Sequence, residues 1–168
     1  LCCGMAFDSK GFRAQGQEKA RELDRALLKA SNHGRLPVYC DMSPCLLRMK
    51  ETLSSELDLY EPVEFILKYF PLRLKFNHVR DKVAIHTTCS STKMELGDSL
   101  KKLAGMCARE VVVPDEVGCC GWAGDRGFTH PELNAAALRP LRRQLPPDAD
   151  EGFSTSRTCE IGLTKHSG

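Results

Sequence analysis

The stretch CCGWAGD at residues 119–125 decides the fold of this chain, because CCGMAFD at residues 2–8 repeats it. Each copy is followed by Gly-Phe within a few residues. A further cysteine comes later in each copy at a similar distance, Cys45 in the first and Cys159 in the second. Self-similarity of this kind indicates that one supersecondary unit occurs twice along the chain.

The repeat also suggests where the chain divides. A connecting segment of mixed character lies at residues 72–82, so we predict a first half over residues 1–80 and a second over residues 81–168. The chain begins at Leu1, directly before the first Cys-Cys pair, and a natural domain rarely starts inside its own site. We therefore expect it to be a fragment of a longer protein.

Helical and strand patterns alternate along both halves. Apolar residues recur at helical spacing over residues 15–31, and short apolar or β-branched runs at 36–39, 83–85 and 111–113 predict strands, with a weaker strand predicted over 153–158. Further helices are predicted from residue 45, over 61–70, from about 94 to 108, over 132–145 with a kink at Pro140, and from residue 159. This order predicts an α/β fold of two pseudo-symmetric halves, each a small parallel sheet flanked by helices.

Four cysteines of the second half follow predicted strands. They are Cys89, Cys119, Cys120 and Cys159. Strands of a parallel sheet end at one edge, so these side chains should meet there, in loops from which helices begin. Thiolates are ligands for zinc and for iron–sulfur clusters, and a helix N-terminus stabilises their negative charge. The sequence predicts a metal site of these four cysteines and a second candidate site at Cys2, Cys3 and Cys45.

Composition excludes several other classes of function. The 168 residues carry 24 Lys and Arg against 22 Asp and Glu, a net charge of +2, so the chain has no electrostatic footprint for nucleic acid. No apolar run approaches the length of a membrane span. The nine cysteines are odd in number and follow no signal stretch, which favours thiols or metal thiolates in a reducing compartment over disulfides. We expect a cytoplasmic location.

The order of cysteines resembles a known family. Cys89, then Cys119-Cys120-Gly121, then Cys159 is similar to the CCG, or cysteine-rich, domain that occurs in heterodisulfide reductases and in the iron–sulfur component of glycolate oxidase. Longer phrases look most like the C-terminal part of bacterial FAD-linked D-lactate dehydrogenases with iron–sulfur domains. These phrases are DMSPC at 41–45, LYEPVEFI at 59–66, CGWAGDRGF at 120–128 and STSRTCEIGL at 154–163.

The resemblance implies a role in electron transfer. In that family an N-terminal flavin domain oxidises a 2-hydroxy acid, and a ferredoxin-like segment and the CCG domain handle electrons. The resemblance thus implies a cluster of the 4Fe-4S type at the four cysteines of the second half, with FAD only in a preceding domain. The implied partners are the flavin and ferredoxin-like domains and an acceptor such as a quinone or a cytochrome. The parent enzyme would lie in the cytoplasm or at the inner membrane, and the fragment alone would not be catalytic.

The chain departs from the family pattern at two places. Family members with the full motif end in Cys-x-x-Cys, whereas this chain has Gly162 at the last position, which leaves four sulfurs in the second half. In the first half the leading cysteine would lie upstream of Leu1, so this half is truncated. Cys40 is then either a core residue or a substitute ligand.

Several alternatives remain open at the sequence level. Four thiolates also suit a structural zinc ion, and a metal-free pair of thiols could instead cycle through a disulfide. Cys107, on a helix face with Leu100 and Leu103, is expected to belong to the core. His86, at a strand end beside Cys89, is expected to be a core histidine or a neighbour of the ligands.

Overall fold

The structure, a computed structural model, describes residues 1–149 and 151–167, so Asp150 and Gly168 lie outside it. The chain forms two compact units, Leu1–Phe65 and Ile66–Gly168. Their division falls earlier than the boundary of the sequence repeat, which stays a prediction at residues 80 and 81.

The first unit contains a two-stranded parallel sheet. Its elements are α1 (Met5–Asp8), α2 (Arg13–Ala30), β1 (Val38–Tyr39), α3 (Ser43–Thr52), β2 (Leu59–Tyr60) and the start of α4 (Pro62–Tyr69). Val38 pairs with Leu59, and Tyr39 pairs with Tyr60. Strand β2 lies within a sequence that gave no strand pattern, because two residues are too few to show an alternation.

The second unit contains a three-stranded parallel sheet. Its elements are the rest of α4, β3 (Arg80–His86), α5 (Cys89–Lys93), α6 (Gly97–Cys107), β4 (Ala108–Val112), α7 (Arg126–Thr129), α8 (Pro131–Ala137), α9 (Leu141–Gln144), β5 (Glu151–Ser154) and α10 (Arg157–Ser167). The strand order is β4-β3-β5, with β3 parallel to both neighbours. Strand β3 lies between its two neighbours, and the three apolar residues in its second half, Val83, Ala84 and Ile85, are all buried.

The core of the second unit includes the cysteine loop itself. Val117, Cys120, Trp122, Leu138, Leu141 and Cys159 form one buried cluster. The single helix expected over residues 132–145 is divided into α8 and α9, because Pro140 lacks the backbone N–H that a continuous helix needs. Leu138 and Leu141, on the two sides of this break, both belong to the cluster.

The predicted fold class is confirmed. The protein is mixed α/β, with two small parallel sheets flanked by helices. Among residues 1–149 and 151–167, no helix has the length and apolar character that crossing a membrane requires.

Candidate metal centre

The first cysteine of the second unit begins a helix directly after the central strand. Strand β3 ends at His86, and Cys89 is the first residue of α5. Thr88 caps this helix, since its Oγ1 accepts a hydrogen bond from the Ser91 amide at 3.1 Å. The Ser91 hydroxyl is in turn 2.9 Å from Thr155 Oγ1, in the loop that leads to Cys159. Hydroxyl groups thus connect the two segments that carry these cysteines.

The paired cysteines lie on a tight loop that only glycine permits. Gly121 has φ +68°, and a Cβ there would lie 2.6 Å from the carbonyl oxygen of Leu133. The amide of Gly121 donates to Cys119 Sγ at 3.3 Å. The buried side chain of Asn134 donates through Nδ2 to the Cys120 carbonyl at 2.6 Å. Loop and helix α8 therefore hold each other in place.

Cys120 and Cys159 form the buried end of the site. Their Sγ atoms are 3.0 Å apart and share a hydrogen bond. This hydrogen bond to Cys159 lowers the pKa of Cys120 to about 6, and backbone amides, including that of Trp122, act in the same direction. The pKa of Cys159 is raised by the same hydrogen bond, by burial and by the negative charge of Cys120. At neutral pH the pair is therefore one thiolate and one thiol.

Cys89 and Cys119 complete the group at the surface. Both are exposed, whereas Cys120 and Cys159 are buried. Burial raises the pKa of Cys119, and further contributions come from the charges of Cys89 and Cys120 and a hydrogen bond to Cys89. Cys159 also experiences the charge of Cys89. The structure thus brings the four sequence-predicted cysteines into one interacting group, while Cys107 ends α6 and is half-buried.

The first unit repeats this local geometry. The Gly4 amide donates to Cys2 Sγ at 3.4 Å, and Gly4 has φ +88°. A hydrogen bond to Cys45 lowers the pKa of Cys3 to about 6 and raises the pKa of Cys45. Cys3 and Cys45 thereby correspond to Cys120 and Cys159 of the second unit.

Cys40 is a fourth member of the first-unit group. It follows β1, and its charge contributes to raising the pKa of Cys45. Burial raises the pKa of Cys40 itself, with a further contribution from the charge of Cys3. The sequence left Cys40 open between core and ligand. Cys40 is half-buried in the structure, and its role as a substitute ligand stays a prediction.

The donor chemistry of the second-unit group fits a metal that prefers sulfur. All four side chains are thiols, and amides and hydroxyls support them. Within the described part of the chain, no group of three or more Cys, His, Asp or Glu side chains has the spacing to hold a metal ion. Two sulfurs on one zinc ion are about 3.8 Å apart, from tetrahedral bonds of about 2.3 Å. Cys120 and Cys159, at 3.0 Å, would have to separate slightly to share a metal.

One residue that supports the site had no sequence signal. Asn134 is almost fully buried and bonds to the Cys120 carbonyl, yet in the sequence it is a polar residue in an alanine-rich helix. Only the folded loop shows which backbone group it satisfies. Thr88 and Ser91 were likewise visible in the sequence only as part of a Ser/Thr-rich loop.

Comparison with known proteins gave a match to a family model over part of the chain. No curated protein and no solved structure matches the chain. The narrower likeness to FAD-linked D-lactate dehydrogenases therefore stays a prediction. Residues 83–164, which include all four cysteines of the second-unit group, match the CCG family, a cysteine-rich domain.

Proposed function

We propose that the second unit is an electron-transfer module that holds an iron–sulfur cluster of the 4Fe-4S type through Cys89, Cys119, Cys120 and Cys159. The observation that carries the proposal is the single interacting group that these four thiols form. Such a cluster, when bound, supplies one-electron transfer at a potential that its surroundings adjust. A cysteine-rich domain of the CCG family is consistent with an iron–sulfur or other metal-binding module.

The residues of the chain suit this role in two ways. The thiol pKa of Cys120 is lowered to about 6, so at least one of the four ligands is already a thiolate at neutral pH. The exposed Cys89 and Cys119 place one side of the group at the surface, where a partner can approach. The buried Cys120 and Cys159 keep the opposite side away from water, which restricts the loss of metal.

The proposed parent is a flavin-dependent oxidoreductase that acts on a 2-hydroxy acid of the D-lactate or glycolate type. Its FAD would be bound by another domain, and a ferredoxin-like domain would lie between the flavin and this module. The acceptor would be a quinone or a cytochrome, reached by an enzyme attached peripherally to the inner membrane. The support is the resemblance of the cysteine order and of the phrases around it.

Metal content with a matched pair of variants tests the cofactor. The chain is purified without oxygen, and iron, sulfide, zinc and the visible spectrum are measured. We expect iron and sulfide with broad visible absorbance, lost in Cys120→Ser and retained in Cys107→Ser. Stoichiometric zinc with no visible absorbance would instead establish the structural zinc site, which the same four thiols also suit. Equal metal loss in both variants would show that the ligands are assigned wrongly.

A metal-free thiol module is a further candidate because Cys120 and Cys159 are already in contact. It would oxidise reversibly to a disulfide with no bound metal: the thiolate and the thiol together give two electrons to a chemical oxidant and release one proton to water as the S–S bond forms. Thiol counting before and after mild oxidation of the purified chain separates it from the cluster.

Electron relay is tested in the full-length parent with Cys89→Ser and Cys159→Ser. Hydride removal needs only the flavin site, so substrate should still reduce the flavin in rapid-mixing experiments. Turnover with the acceptor should collapse. A merely structural metal would lower both rates together as the fold weakens, and intact acceptor turnover after cluster loss would exclude the relay.

A further inference from the structure

One segment of the second unit, residues 66–80, contains four lysine and arginine side chains and no aspartate or glutamate. We call it the basic segment, and it runs from the second half of α4 to the first residue of β3. The whole chain has 24 basic and 22 acidic residues, so the rest of the chain carries 20 basic against 22 acidic residues, a net charge of −2. The excess positive charge of the chain is therefore concentrated in the basic segment.

The basic segment also exposes large apolar side chains. Leu72 is 98% exposed, Val79 is 65% exposed and Leu74 is 46% exposed. Single exposed apolar residues are ordinary on a protein surface, but a group of them within one short segment is typical of an interaction site. Leu72 touches almost nothing of its own chain, so packing within the folded unit does not explain an apolar residue at this position.

Backbone hydrogen bonds hold the basic segment at both ends. After α4, the amides of Arg73 and Leu74 both donate to the Phe70 carbonyl at 3.0 Å, which forms a turn centred on Leu72. At the other end, the Val79 amide donates to a carbonyl at the end of α6 at 2.9 Å. The exposed leucine is thus presented on a hydrogen-bonded turn.

Two cations lie on either side of Leu74. Arg73 and Lys75 are both exposed, and among the residues that the structure describes neither has an acidic partner. Arg80, at the end of the segment, differs in that it is paired with Glu151. The charges of Arg73 and Lys75 are therefore available to neutralise negative charge outside the chain.

We propose that the basic segment docks on an anionic lipid surface, with Leu72 and Leu74 entering the apolar boundary and Arg73 and Lys75 contacting lipid phosphates. Apolar and cationic side chains that alternate along one exposed segment match the two parts of such a surface. A lipid surface accepts a protruding side chain without a complementary pocket, which a protein partner would have to supply. Nucleic acid would match the charges but would leave the leucines in water.

This inference deepens the peripheral attachment proposed above for the parent enzyme, on which its biological setting rests. Docking itself needs no metal at the cysteines. Iron measured in the same preparations therefore separates the two proposals. A chain that holds a cluster but does not bind lipid would contradict only the docking, whereas a metal-free chain that binds lipid would contradict only the electron transfer.

Co-sedimentation with vesicles tests the docking on the full chain under reducing conditions. One set of vesicles is phosphatidylcholine alone, and the other is a mixture of phosphatidylcholine with phosphatidylglycerol. We expect binding to the mixed vesicles at low salt and little binding to the neutral ones. Binding should weaken as salt is added, because exposed charges are screened by mobile ions.

Variants locate the effect on the basic segment. Arg73→Gln with Lys75→Gln should weaken binding to the mixed vesicles about 25-fold, since each basic side chain near an anionic surface contributes about five-fold. Leu72→Ser should weaken it about ten-fold through the loss of apolar burial. The matched control, Lys101→Gln with Lys102→Gln, removes the same charge from exposed positions of α6 and should change binding little. Because all these side chains are exposed, the variants should fold.

Tryptophan fluorescence shows directly whether the turn enters the lipid. The chain has a single tryptophan, Trp122, which is buried and provides a constant background. Leu72→Trp should gain blue-shifted emission when the mixed vesicles are added, whereas Leu36→Trp, at an exposed leucine of the first unit, should not.

Three results would overturn the proposal. They are equal binding to neutral and mixed vesicles, equal losses in the segment and control double variants, and unchanged emission of Leu72→Trp on vesicles. Soluble poly-glutamate serves as a further probe. If it binds the chain with no dependence on Leu72 while the mixed vesicles do not bind, the basic segment recognises an acidic protein instead of lipid.

Discussion

The two units share a cysteine loop but differ in what packs beside it, and one informative difference lies three residues after the last cysteine of each. In both, the glycine after the cysteine pair has a positive φ and donates its amide to the first sulfur. In both, the second sulfur of the pair has a pKa of about 6. The differing position is Arg48 in the first unit and Gly162 in the second. The comparison shows that the same cysteine loop can be held in place by two different kinds of side-chain contact.

In the first unit the support is an ion pair. Arg48 contacts Asp8, the last residue of the repeated phrase, and both side chains are more than three-quarters buried. Asp8 Oδ1 and Arg48 Nε are buried and, within the described residues, have no further partner. A charged pair removed from water is tolerated because each charge satisfies the other.

In the second unit the support is an indole ring. A Cβ on Gly162 would lie 2.9 Å from Trp122 Cε3 and 2.5 Å from Asn134 Nδ2, so these side chains occupy the space beside the helix. The corresponding residue to Trp122 in the first unit is Met5, which is smaller. A fifth sulfur at position 162 would therefore have to displace the residues that hold the cysteine loop. This steric argument favours a site of four sulfurs.

The largest effect should come from Trp122→Ala. Trp122 is 4% exposed and meets Phe128 edge to face, with ring centroids 5.1 Å apart. Its loss should reduce the free energy of unfolding by about 3–5 kcal/mol. Met5→Ala, at the half-buried counterpart, should cost clearly less. Chemical denaturation of the reduced, metal-free chain, followed by circular dichroism, measures both, and equal losses would contradict the assigned difference between the units.

Gly162→Ala should change the free energy of unfolding by less than Trp122→Ala does. It should destabilise the chain, whereas the matched control Gly105→Ala should stabilise it. Alanine in an exposed helix is normally better than glycine by about 0.5–1 kcal/mol, which Gly105→Ala in α6 should show because no atom lies within 4 Å of its Cβ. At Gly162 the contacts with Trp122 and Asn134 should outweigh this gain and cost about 1–3 kcal/mol. The same denaturation experiment compares them. Stabilisation by Gly162→Ala would show that the packing leaves room for a fifth ligand.

The sequence was sufficient for the fold class. This class followed from periodic patterns of apolar strands with helices after them, and the repeated phrase at the strand ends indicated two similar units. Parallel strands end at one edge whatever the side chains between them, which is why the sequence alone predicts that Cys89, Cys119, Cys120 and Cys159 lie near one another. The domain boundary and the role of the cysteines as ligands remain predictions.

Other features depended on contacts between distant residues. Strand β2 is two residues long and exists only because β1 pairs with it. The support from Asn134 and the burial of Trp122 beside Gly162 each join segments that are separate in the sequence. The local sequence does not indicate which small residue, such as Gly162, packs against which large one, such as Trp122.

The last prediction concerns pH and tests whether the two units resemble each other electrostatically. Cys3 and Cys120 have pKa values lowered from 9.0 to about 6, so between these pH values the unfolded chain binds more protons. Stability from these groups is complete above pH 9 and is lost as the pH falls through 6. Cys45 and Cys159 have raised pKa values, so their contribution is lost as the pH rises above 9. The contribution of these two cysteine pairs to the stability of the reduced, metal-free chain should therefore be largest near pH 9.

Thermal unfolding of this form between pH 6 and pH 10 measures that dependence. Cys120→Ala should remove part of the increase in stability between pH 6 and pH 9 and leave the part that is due to Cys3. Cys107→Ala should leave the whole increase unchanged. The double variant Cys3→Ala with Cys120→Ala should abolish it. If Cys120→Ala alone removes the entire rise, the first unit has no thiolate pair of its own. The similarity of the two units would then be limited to the backbone of the cysteine loop.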